Sequence, residues 1–261
     1  MRSPLTRMAR AAYGAGLRAL YADIGFPWNV HGEIVRIHPD ARHLVPHAAE
    51  PELFRYLTDV IRPGDVVLDV GAFVGIYAVL EARWAGRQGR VIAFEPTPSS
   101  ARLAREHIGW NAFGAGHVTL IEAAVAERAS CGTLYEYDGA GLPYANSLAA
   151  AADTAAAGTP RDVAIVTIDD VCRELNVAPS LIRMDVQGAE LRALFGARHT
   201  IRSSPRLSLV VEMHPQCWPA FGITEDDVRR GLADLGLTAR PLVAGEALFG
   251  RDSHAVLTPT S

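Results

Sequence analysis

The sequence predicts an α/β fold built on a doubly wound, mostly parallel sheet with helices on both faces, preceded by an N-terminal extension. Three observations predict it. From residue 66 onward, short apolar segments alternate with helical segments of about ten to fifteen residues, as in βαβ units. The first apolar segment, Val66 to Leu68, is continuous, as in a strand that is buried on both faces. The 261 residues, 49% of them hydrophobic and 21% charged, suffice for one large domain and a small appendage.

Residues 1–61 are assigned to the extension and residues 62–261 to the main domain. The first twenty-two residues carry four arginines and no acidic residue, and their pattern predicts a basic amphipathic helix. Gly32 to His38 alternates like a strand, and a helix is expected from about Pro51 to Ile61. We expect the basic helix to pack on the domain or on a second subunit, which would give a homodimer through the extension. Contact with a membrane surface is the alternative.

The main domain begins after a turn at residues 62–65 and is predicted to alternate strands and helices. The predicted strands are Val66 to Leu68, Val91 to Glu95, Val118 to Val125, Leu181 to Val186 and Leu207 to His214, with a terminal pair at Thr238 to Pro241 and Ala255 to Leu257. The predicted helices are Ile76 to Trp84, Ser99 to Asn111, Gly188 to Ile201 and Thr224 to Leu235. Residues 134–148 have no regular pattern, and the alanine-rich segment 149–158 is compatible with a helix or a loop.

Composition excludes several classes of protein. All 25 basic residues are arginines, so chemistry that requires lysine, such as a Schiff base or a Walker phosphate-binding loop, is excluded. The net charge of −4 offers no reason to bind a phosphate backbone, so no nucleic-acid partner is expected. Three widely spaced cysteines form neither a disulfide framework nor a zinc or redox pair, which favours a reducing, cytoplasmic location. Charged residues interrupt the longest apolar stretch, Met8 to Ile24, so membrane insertion is not expected.

The turn after the first strand of the main domain has the pattern of a nucleotide-binding site. In a doubly wound sheet, ligands bind beyond the carboxyl ends of the strands. Gly71 and Gly75 allow a tight turn and a closely packed helix, and the amides at the start of that helix point towards a ligand. Glu95, at the end of the next strand, is placed to accept the two hydroxyls of a ribose. The sequence therefore predicts an adenosine-containing cofactor.

Two details favour S-adenosylmethionine over NAD. The turn lacks the middle glycine of the dinucleotide pattern, which brings a pyrophosphate against the backbone. Asp69 would place a negative charge beside that pyrophosphate, whereas the same charge attracts the ammonium group of a methionine moiety. On spacing alone, a purely structural turn remains the alternative.

Six segments between Pro63 and about Pro215 form an ordered set. They are RPGDVVLDVGAFVGIYAVL, VIAFEPTPSSARLAREHIGWN, NSL, VTIDDV, LIRMDVQGAELRALFGA and LVVEMHP. With this set, the stretch resembles the FkbM family of class I S-adenosylmethionine-dependent methyltransferases. This resemblance implies a Rossmann-like fold and methyl transfer, most often to a hydroxyl of a natural product or sugar.

The resemblance also implies roles for individual residues. Asp69 and Gly71 would hold the methionine end of the cofactor and Glu95 its ribose, while Glu122 and Ala123 would lie at the edge of the adenine. The full set of expected cofactor-binding residues is Asp69, Gly71, Ala72, Phe73, Gly75, Glu95, Glu122, Ala123 and Asp185.

Other positions are ambiguous or depart from the family. Asn111 and Ser147 match family positions, but a helix cap and a loop cap explain them as well. The family usually has asparagine where this chain has Phe73. In its Lys-x-Asp-x-Glu-Gly pattern this chain has Arg183 and Gln187, so the charges nearest the central aspartate are altered or lost. We expect cofactor binding to survive these changes, whereas the family's substrates need not carry over.

The ends of the fourth and fifth strands of the domain hold the candidate catalytic residues. Methyl transfer to an alcohol needs an aligned nucleophile and a group that takes its proton. His214, just past a strand, is the predicted base, with a structural histidine as the alternative. Asp185 is the second candidate, as a base or to position the methyl donor, and Glu190 and Glu212 are expected to order neighbouring loops. No ligand spacing requires a metal, and none is predicted.

The predicted function is O-methyl transfer from S-adenosylmethionine to a hydroxyl of a small metabolite, natural product or sugar. Aromatic side chains that would wall an acceptor pocket, or else pack in the core, are Tyr135, Tyr137, Tyr144, Trp218 and Phe221. One alternative is an NAD-linked oxidoreductase, which shares the glycine turn but would need a hydride-site pair such as Tyr-xxx-Lys, and the chain has no lysine. The other is a non-catalytic cofactor-binding module, which Phe73 and Gln187 leave open.

Overall fold

The structure is a computed structural model that describes residues 4–48, 50–111, 116–136, 148, 159–204, 206–251 and 253–260. Its strands are β1 (Phe26–Val30), β2 (Glu33–Ile37), β3 (Val66–Val70), β4 (Arg90–Phe94), β5 (Val118–Ile121), β6 (Ala124–Val125), β7 (Ser130–Glu136), β8 (Thr159–Val166), β9 (Leu181–Met184), β10 (Ser208–Met213), β11 (Leu237–Pro241) and β12 (Ser253–Pro259). Its α-helices are α1 (Pro4–Tyr21), α2 (Pro51–Val60), α3 (Ile76–Ala85), α4 (Pro98–Asn111), α5 (Ile168–Leu175), α6 (Glu190–Phe195), α7 (Arg198–Ser203) and α8 (Glu225–Asp234). Short 3-10 helices cover Pro39–His43 and Trp218–Phe221. Predictions for Tyr137, Tyr144, Ser147 and residues 149–158 lie outside the described residues.

The main sheet confirms the predicted doubly wound fold. Its seven strands, counted over the described residues, lie in the order β11, β12, β10, β9, β3, β4, β5. The five strands from β10 to β5 are parallel, and β12 runs antiparallel to both of its neighbours. The chain moves from β3 outward through β4 to β5, and later from β9 outward to β10 on the other side. Strand order therefore reverses between β3 and β9, where a crevice opens at the carboxyl ends.

Helices cover both faces of this sheet. Successive residues of a strand point to opposite sides, and β3 carries apolar side chains on both sides. Leu68 of β3 faces the larger hydrophobic cluster, which includes Ile168 of α5 and Leu232 of α8. Val67, its neighbour, faces a second cluster that includes Leu57 of α2. The continuous apolar run of β3 thus reflects burial from two sides.

The extension packs on the main domain rather than forming a core of its own. Leu53 and Leu57 of α2 are buried in the same cluster as β3. The hairpin of β1 and β2 turns at His31 and Gly32, both with positive φ, as a two-residue hairpin turn requires. Val35 of β2 packs against the first turns of α3. Residues before and after the boundary at residue 61 therefore share the same hydrophobic clusters.

Asn111 fastens the extension to the end of α4. Its side-chain oxygen accepts hydrogen bonds from the Arg36 backbone amide and from the Arg83 guanidinium, both at 2.9 Å. Its side-chain amide donates to the Arg36 carbonyl at 2.7 Å. Of the two interpretations of Asn111, the structural one accounts for these contacts.

Several segments differ from the sequence prediction, and β8 and α5 are among those that it does not assign. The predicted strand Val118 to Val125 is divided, since β5 stays in the main sheet whereas β6 joins β7 and β8 in a separate three-stranded sheet. β1 and β7 are absent from the prediction because turn-favouring residues interrupt their pattern. The predicted helix Gly188 to Ile201 is interrupted at Gly196, whose carbonyl accepts a hydrogen bond from the Asp169 amide at 2.9 Å.

The surface of the extension carries several exposed apolar side chains. These are Tyr13, Leu20, Ile24 and Ile34. Clustered apolar surface is a common site of association, but the homodimer through the extension stays a prediction. Among the described helices, none is long and apolar enough to cross a membrane.

Candidate active site

A cavity of about 300 Å³ opens at the carboxyl ends of β3, β4 and β9, where the strand order reverses. The main domain contributes the turn after β3 and the segments after β4 and β9. The extension also lines the cavity, and we call its contributing residues the roof. The roof consists of Val30, Leu44, Val45, Pro46 and Glu50.

The turn after β3 is shaped by glycines. Gly71 has a φ of 86°, and a Cβ at this position would collide with the carbonyl oxygen of Asp185 at the end of β9. Gly75 has a φ of 77°, and a Cβ there would lie 2.9 Å from the Cβ of Ala104 in α4. These glycines bring the two strand ends and α4 close together. Ala72 and Phe73 line the cavity between them.

Glu95 lies directly after β4 and faces the cavity. Its two carboxylate oxygens each accept a backbone hydrogen bond, one from Phe73 and one from Thr97, both at 2.8 Å. Burial raises the pKa of Glu95 to about 7, although these amide donors oppose the rise. Each oxygen retains a lone pair, so the carboxylate can still accept hydroxyl groups. Its predicted position beside a ligand therefore fits the geometry.

Asp69 is turned away from the cavity and into the protein. It is fully buried, and its carboxylate accepts a hydrogen bond from the Arg183 guanidinium at 2.9 Å. The two residues are direct partners in the register of β3 and β9. Arg183, in turn, lines the cavity and lies 3.4 Å from Asp185. The predicted direct contact of Asp69 with a methionine ammonium does not fit this geometry, because Arg183 already compensates its charge.

His214 does not reach the cavity. Its side chain is 2% exposed, with Nδ1 2.8 Å from a Glu190 oxygen and Nε2 2.9 Å from the Gln187 amide nitrogen. Burial opposes protonation, but the hydrogen bond and charge of Glu190, with Asp185 and Glu212 nearby, raise the pKa of His214 to about 9. The Gln187 amide nitrogen covers the Nε2 atom and Glu190 holds Nδ1, so neither ring nitrogen is open to a substrate in the cavity. The prediction of His214 as the base is therefore corrected to a structural role.

Asp185, the second candidate, does face the cavity. It accepts a hydrogen bond from the Gln187 amide at 3.0 Å and a weaker one from Arg183 at 3.4 Å. Glu190, expected to order a loop, accepts hydrogen bonds from the Gly188 amide and the Trp218 indole at 2.7 and 2.9 Å. Trp218 is accordingly buried, and it does not line the described cavity.

Glu122 and Ala123, the two residues expected at the edge of the adenine, lie in different environments. Ala123 lines the cavity, but the Glu122 side chain is 49% exposed and pairs with Arg105 on the surface. The Glu122 carboxylate is therefore not placed to contact a ligand in the cavity. Tyr135 and Phe221 are likewise absent from the described lining.

Acidic and histidine side chains gather beside the cavity in two groups with the composition of metal sites. The groups are Glu50, Glu212 and His254, and Asp185, Glu212 and His214. The ligand atoms within each group lie within 4.8 Å of one another. Burial and the charge of Asp185 raise the pKa of Glu212 to about 8. Arg183 already supplies a cation to Asp185, and the absence of a metal stays a prediction.

Sequence reasoning missed Arg183 as an organising residue and Glu50 as a lining residue. Arg183 was visible only as a departure from a lysine, and its pairing with Asp69 depends on β3 and β9 being neighbours. Glu50 directly precedes a proline-initiated helix, where an acidic residue suggests a helix cap. No local pattern indicates that its side chain faces a cavity.

The FkbM methyltransferase domain matches residues 69–236 of this chain. Among solved structures, the chain is similar to the ribosomal protein L11 methylase from Lactobacillus delbrueckii subsp. bulgaricus, with 12% identity, a TM-score of 0.52 and coverage of 88% of this chain and 87% of that chain. It is also similar to magnesium protoporphyrin IX methyltransferase from Synechocystis PCC 6803, with 15% identity, a TM-score of 0.47 and coverage of 84% and 89%. No match to the chain occurs among curated protein sequences.

The strand order and the likeness to solved methylases define a Rossmann-like class I methyltransferase fold. The family match covers more than half of the chain, from Asp69 in β3 to Gly236, the residue before β11. The chain belongs to the FkbM methyltransferase family. It is therefore an S-adenosylmethionine-dependent methyltransferase, which confirms the predicted cofactor and decides against the NAD-linked alternative.

Proposed function

We propose that this methyltransferase transfers its methyl group to a hydroxyl of a small molecule, such as a metabolite, natural product or sugar. The observation that carries the proposal is the roof. Val30 and Val45 of the roof are buried, and with the other roof residues they cover the cavity on the side of the extension. A cavity of about 300 Å³ that the roof covers on one side lies within the size range of small-ligand pockets, whereas a nucleic acid or folded protein needs a wide open face.

The residues present fit S-adenosylmethionine. Glu95 presents a buried carboxylate with lone pairs left for the ribose hydroxyls. Ala123 and Ala124 offer apolar surface for the adenine, and Ala72 and Phe73 lie on the glycine turn. When bound, the cofactor supplies an electrophilic methyl group on a sulfonium.

The cavity also contains carboxylates that can take the proton of the acceptor hydroxyl. Asp185 is held by Arg183 and Gln187, which fix its orientation towards the cavity. Because His214 is enclosed and does not line the cavity, the proton of an acceptor hydroxyl passes to a carboxylate that does. Besides Glu95, the lining carboxylates among the described residues are Asp185 and Glu50.

The proposal is tested by following a labelled methyl group. The full chain is incubated with methyl-labelled S-adenosylmethionine and one class of acceptor in each reaction. The classes are alcohols, phenols, sugars, ribosomal RNA and ribosomal protein. We expect label in a small hydroxyl compound, identified by mass spectrometry as a methyl ether. Label in RNA or protein, or on a nitrogen or carbon atom, would contradict the proposal.

Binding of S-adenosylhomocysteine, measured by calorimetry, supplies the control. Glu95→Gln should weaken it at least about tenfold, because a charge-assisted hydrogen bond to the ribose is replaced by a neutral one. If the parent binds S-adenosylhomocysteine but methylates no acceptor of any class, the non-catalytic alternative is favoured instead.

A further inference from the structure

We infer that the roof forms the acceptor site, that this site takes an alcohol or phenol with a hydrophobic body, and that Glu50 accepts the hydroxyl proton. The inference rests on the proposed O-methyl transfer and narrows it, since it removes sugars from the acceptor classes. It also assigns a catalytic residue to the extension, outside the region matched by the family domain.

The roof is apolar apart from one side chain. Four of its five residues, Val30, Leu44, Val45 and Pro46, are apolar, and Glu50 carries its only charge. A sugar presents hydroxyls on every side, and each one left without a partner in an apolar site costs binding free energy. A hydrophobic acceptor with one hydroxyl matches this surface, because its body covers the apolar residues and its hydroxyl meets the carboxylate.

The backbone of Glu50 is held in an unusual conformation. Its φ of 49° and ψ of 56° lie in the left-handed region, which non-glycine residues seldom adopt. It precedes the first residue of α2, yet its side chain makes no helix-capping hydrogen bond. The Glu50 carbonyl accepts a helical hydrogen bond from the Phe54 amide at 2.9 Å, so the backbone starts α2 while the side chain is left for the cavity, which it lines. Residues in sparsely populated backbone regions cluster at functional sites.

Side chains from other elements surround the Glu50 carboxylate. The Nε2 atom of His254, from β12, lies 3.2 Å from a Glu50 oxygen and 3.8 Å from a Glu212 oxygen. Tyr77, from α3, lines the same cavity as Glu50, and the Arg183 guanidinium stacks on its ring at 4.6 Å. His254 thus acts as a positioning residue.

These neighbours keep Glu50 ionised. Burial alone would raise the pKa of Glu50, but the nearby His254 imidazole and the charge of Arg183 outweigh it and lower the pKa. Burial and the Glu50 charge raise the pKa of Tyr77, so its hydroxyl remains a donor. Of the lining carboxylates among the described residues, Glu50 is the one that belongs to the roof, whereas Glu95 follows β4 and Asp185 follows β9. Glu50 is therefore the roof's acceptor for a hydroxyl proton.

The step balances with the groups named. The acceptor hydroxyl oxygen forms a bond to the methyl carbon while the carbon–sulfur bond breaks and its electron pair stays on sulfur. The hydroxyl proton passes to the Glu50 carboxylate. Glu50 returns to its ionised form by releasing that proton to solvent after the methyl ether leaves.

The test compares 4-nitrophenol with 4-nitroanisole, which differs only in having a methyl group in place of the hydroxyl hydrogen. Both are titrated by calorimetry at pH 6 into the full chain loaded with S-adenosylhomocysteine. We expect the parent to bind 4-nitrophenol about tenfold more tightly, because a hydrogen bond to a carboxylate is charge-assisted. Glu50→Gln should reduce this preference to about twofold or less, while its affinity for S-adenosylhomocysteine stays within twofold of the parent's. Glucose should not bind either protein.

A turnover comparison separates a base from a positioning residue. With 4-methoxyphenol, Glu50→Gln should lower kcat about 100-fold, a usual contribution of a general base. With 4-nitrophenol at pH 9, where the phenol is already ionised, the loss should be less than about tenfold, because no proton has to be removed. His254→Gln keeps the carboxylate and should lower kcat less than Glu50→Gln with 4-methoxyphenol.

Three results overturn the inference. The first is that the loaded parent fails to bind 4-nitrophenol or binds glucose equally well. The second is that Glu50→Gln keeps the parent's preference, or loses turnover equally with both phenols. The third is that phenol binding requires Mg²⁺ and is abolished by EDTA, which would make Glu50, Glu212 and His254 a cation site. Normal binding of S-adenosylhomocysteine alongside any of these leaves the proposed function standing, whereas methyl transfer to another kind of atom removes both.

Discussion

Two groups of carboxylates lie at the same edge of the sheet and are held in opposite ways. On the β4 side, Glu95 is held by the backbone amides of Phe73 and Thr97. On the side of β9 and β10, Asp69 is held by Arg183 and Glu190 by His214. Amides orient a carboxylate without cancelling its charge, whereas a guanidinium or a protonated imidazole offsets it. Asp185 shares Arg183 with Asp69 but is only partly buried and lines the cavity, so partner and burial together decide whether an acidic residue can face a ligand.

The largest effect is expected on the ion-paired side. Arg183→Met should lower the free energy of unfolding by about 3–5 kcal/mol, because it leaves the fully buried Asp69 without its cation. Urea unfolding measures this change. The double variant Asp69→Asn/Arg183→Met, which also removes the Asp69 charge, should recover part of the loss. Equal destabilisation in the single and double variants would show that the Asp69 charge is not the cause.

A second effect on this side depends on pH. The pKa of His214 is about 9 in the folded protein and about 6.5 when unfolded, so its stabilising contribution is complete below pH 6.5 and is lost as pH rises through 9. Between pH 6.5 and 9.5 the parent should lose about 2–3 kcal/mol more stability than His214→Gln. Parallel stability curves for the two proteins would mean that His214 is not protonated in the fold.

The backbone-held side should respond to pH in the opposite sense and through ligand binding. Because the pKa of unliganded Glu95 is about 7 and ribose hydroxyls donate to its ionised form, binding should weaken as pH falls. We expect S-adenosylhomocysteine to bind about tenfold more weakly at pH 6 than at pH 8. Calorimetry at several pH values measures this, with Glu95→Gln as the control. The same pH dependence in that variant would assign the titration to another group.

The smallest effect is expected outside both groups. Glu122→Ala removes an exposed ion pair with Arg105 and should change the free energy of unfolding by less than about 1 kcal/mol. Its affinity for S-adenosylhomocysteine should stay within about twofold of the parent's, because its carboxylate does not line the cavity. A tenfold loss of affinity would restore the adenine contact that the family resemblance implies for Glu122.

The parallel core of the fold could be predicted because its evidence is local. A continuous apolar run such as Val66 to Leu68 is visible without knowing any neighbour. α8 begins at Glu225, one residue after the predicted start, because Thr224 is its N-cap and forms a capping box with Asp227. The division between β5 and β6 could not be predicted, since Ala124 and Val125 look like a continuation of the strand. Only their pairing with β8, a distant segment, places them in another sheet.

The site residues that could be predicted are those whose position depends only on following the end of a parallel strand. Glu95 and Asp185 follow strand ends and do face the cavity. His214 also follows a strand as predicted, but its enclosure depends on Glu190 from another segment. Glu50 meets His254 only because the two ends of the chain come together in three dimensions. Contacts between residues that are far apart in the sequence cannot be inferred from residue spacing.

The roof and the methyl-donor contacts come from separate stretches of the chain. Val30 to Glu50 precede α2, whereas Ala72, Glu95 and Ala123 lie in the main domain. Under the proposed function, an engineered exchange confined to the first fifty residues would replace the roof while the residues proposed to contact the cofactor stay in place. Such an exchange has to preserve the packing beneath the roof, because Val35 and Val45 share a hydrophobic cluster with Val74 and Ile76 of the main domain.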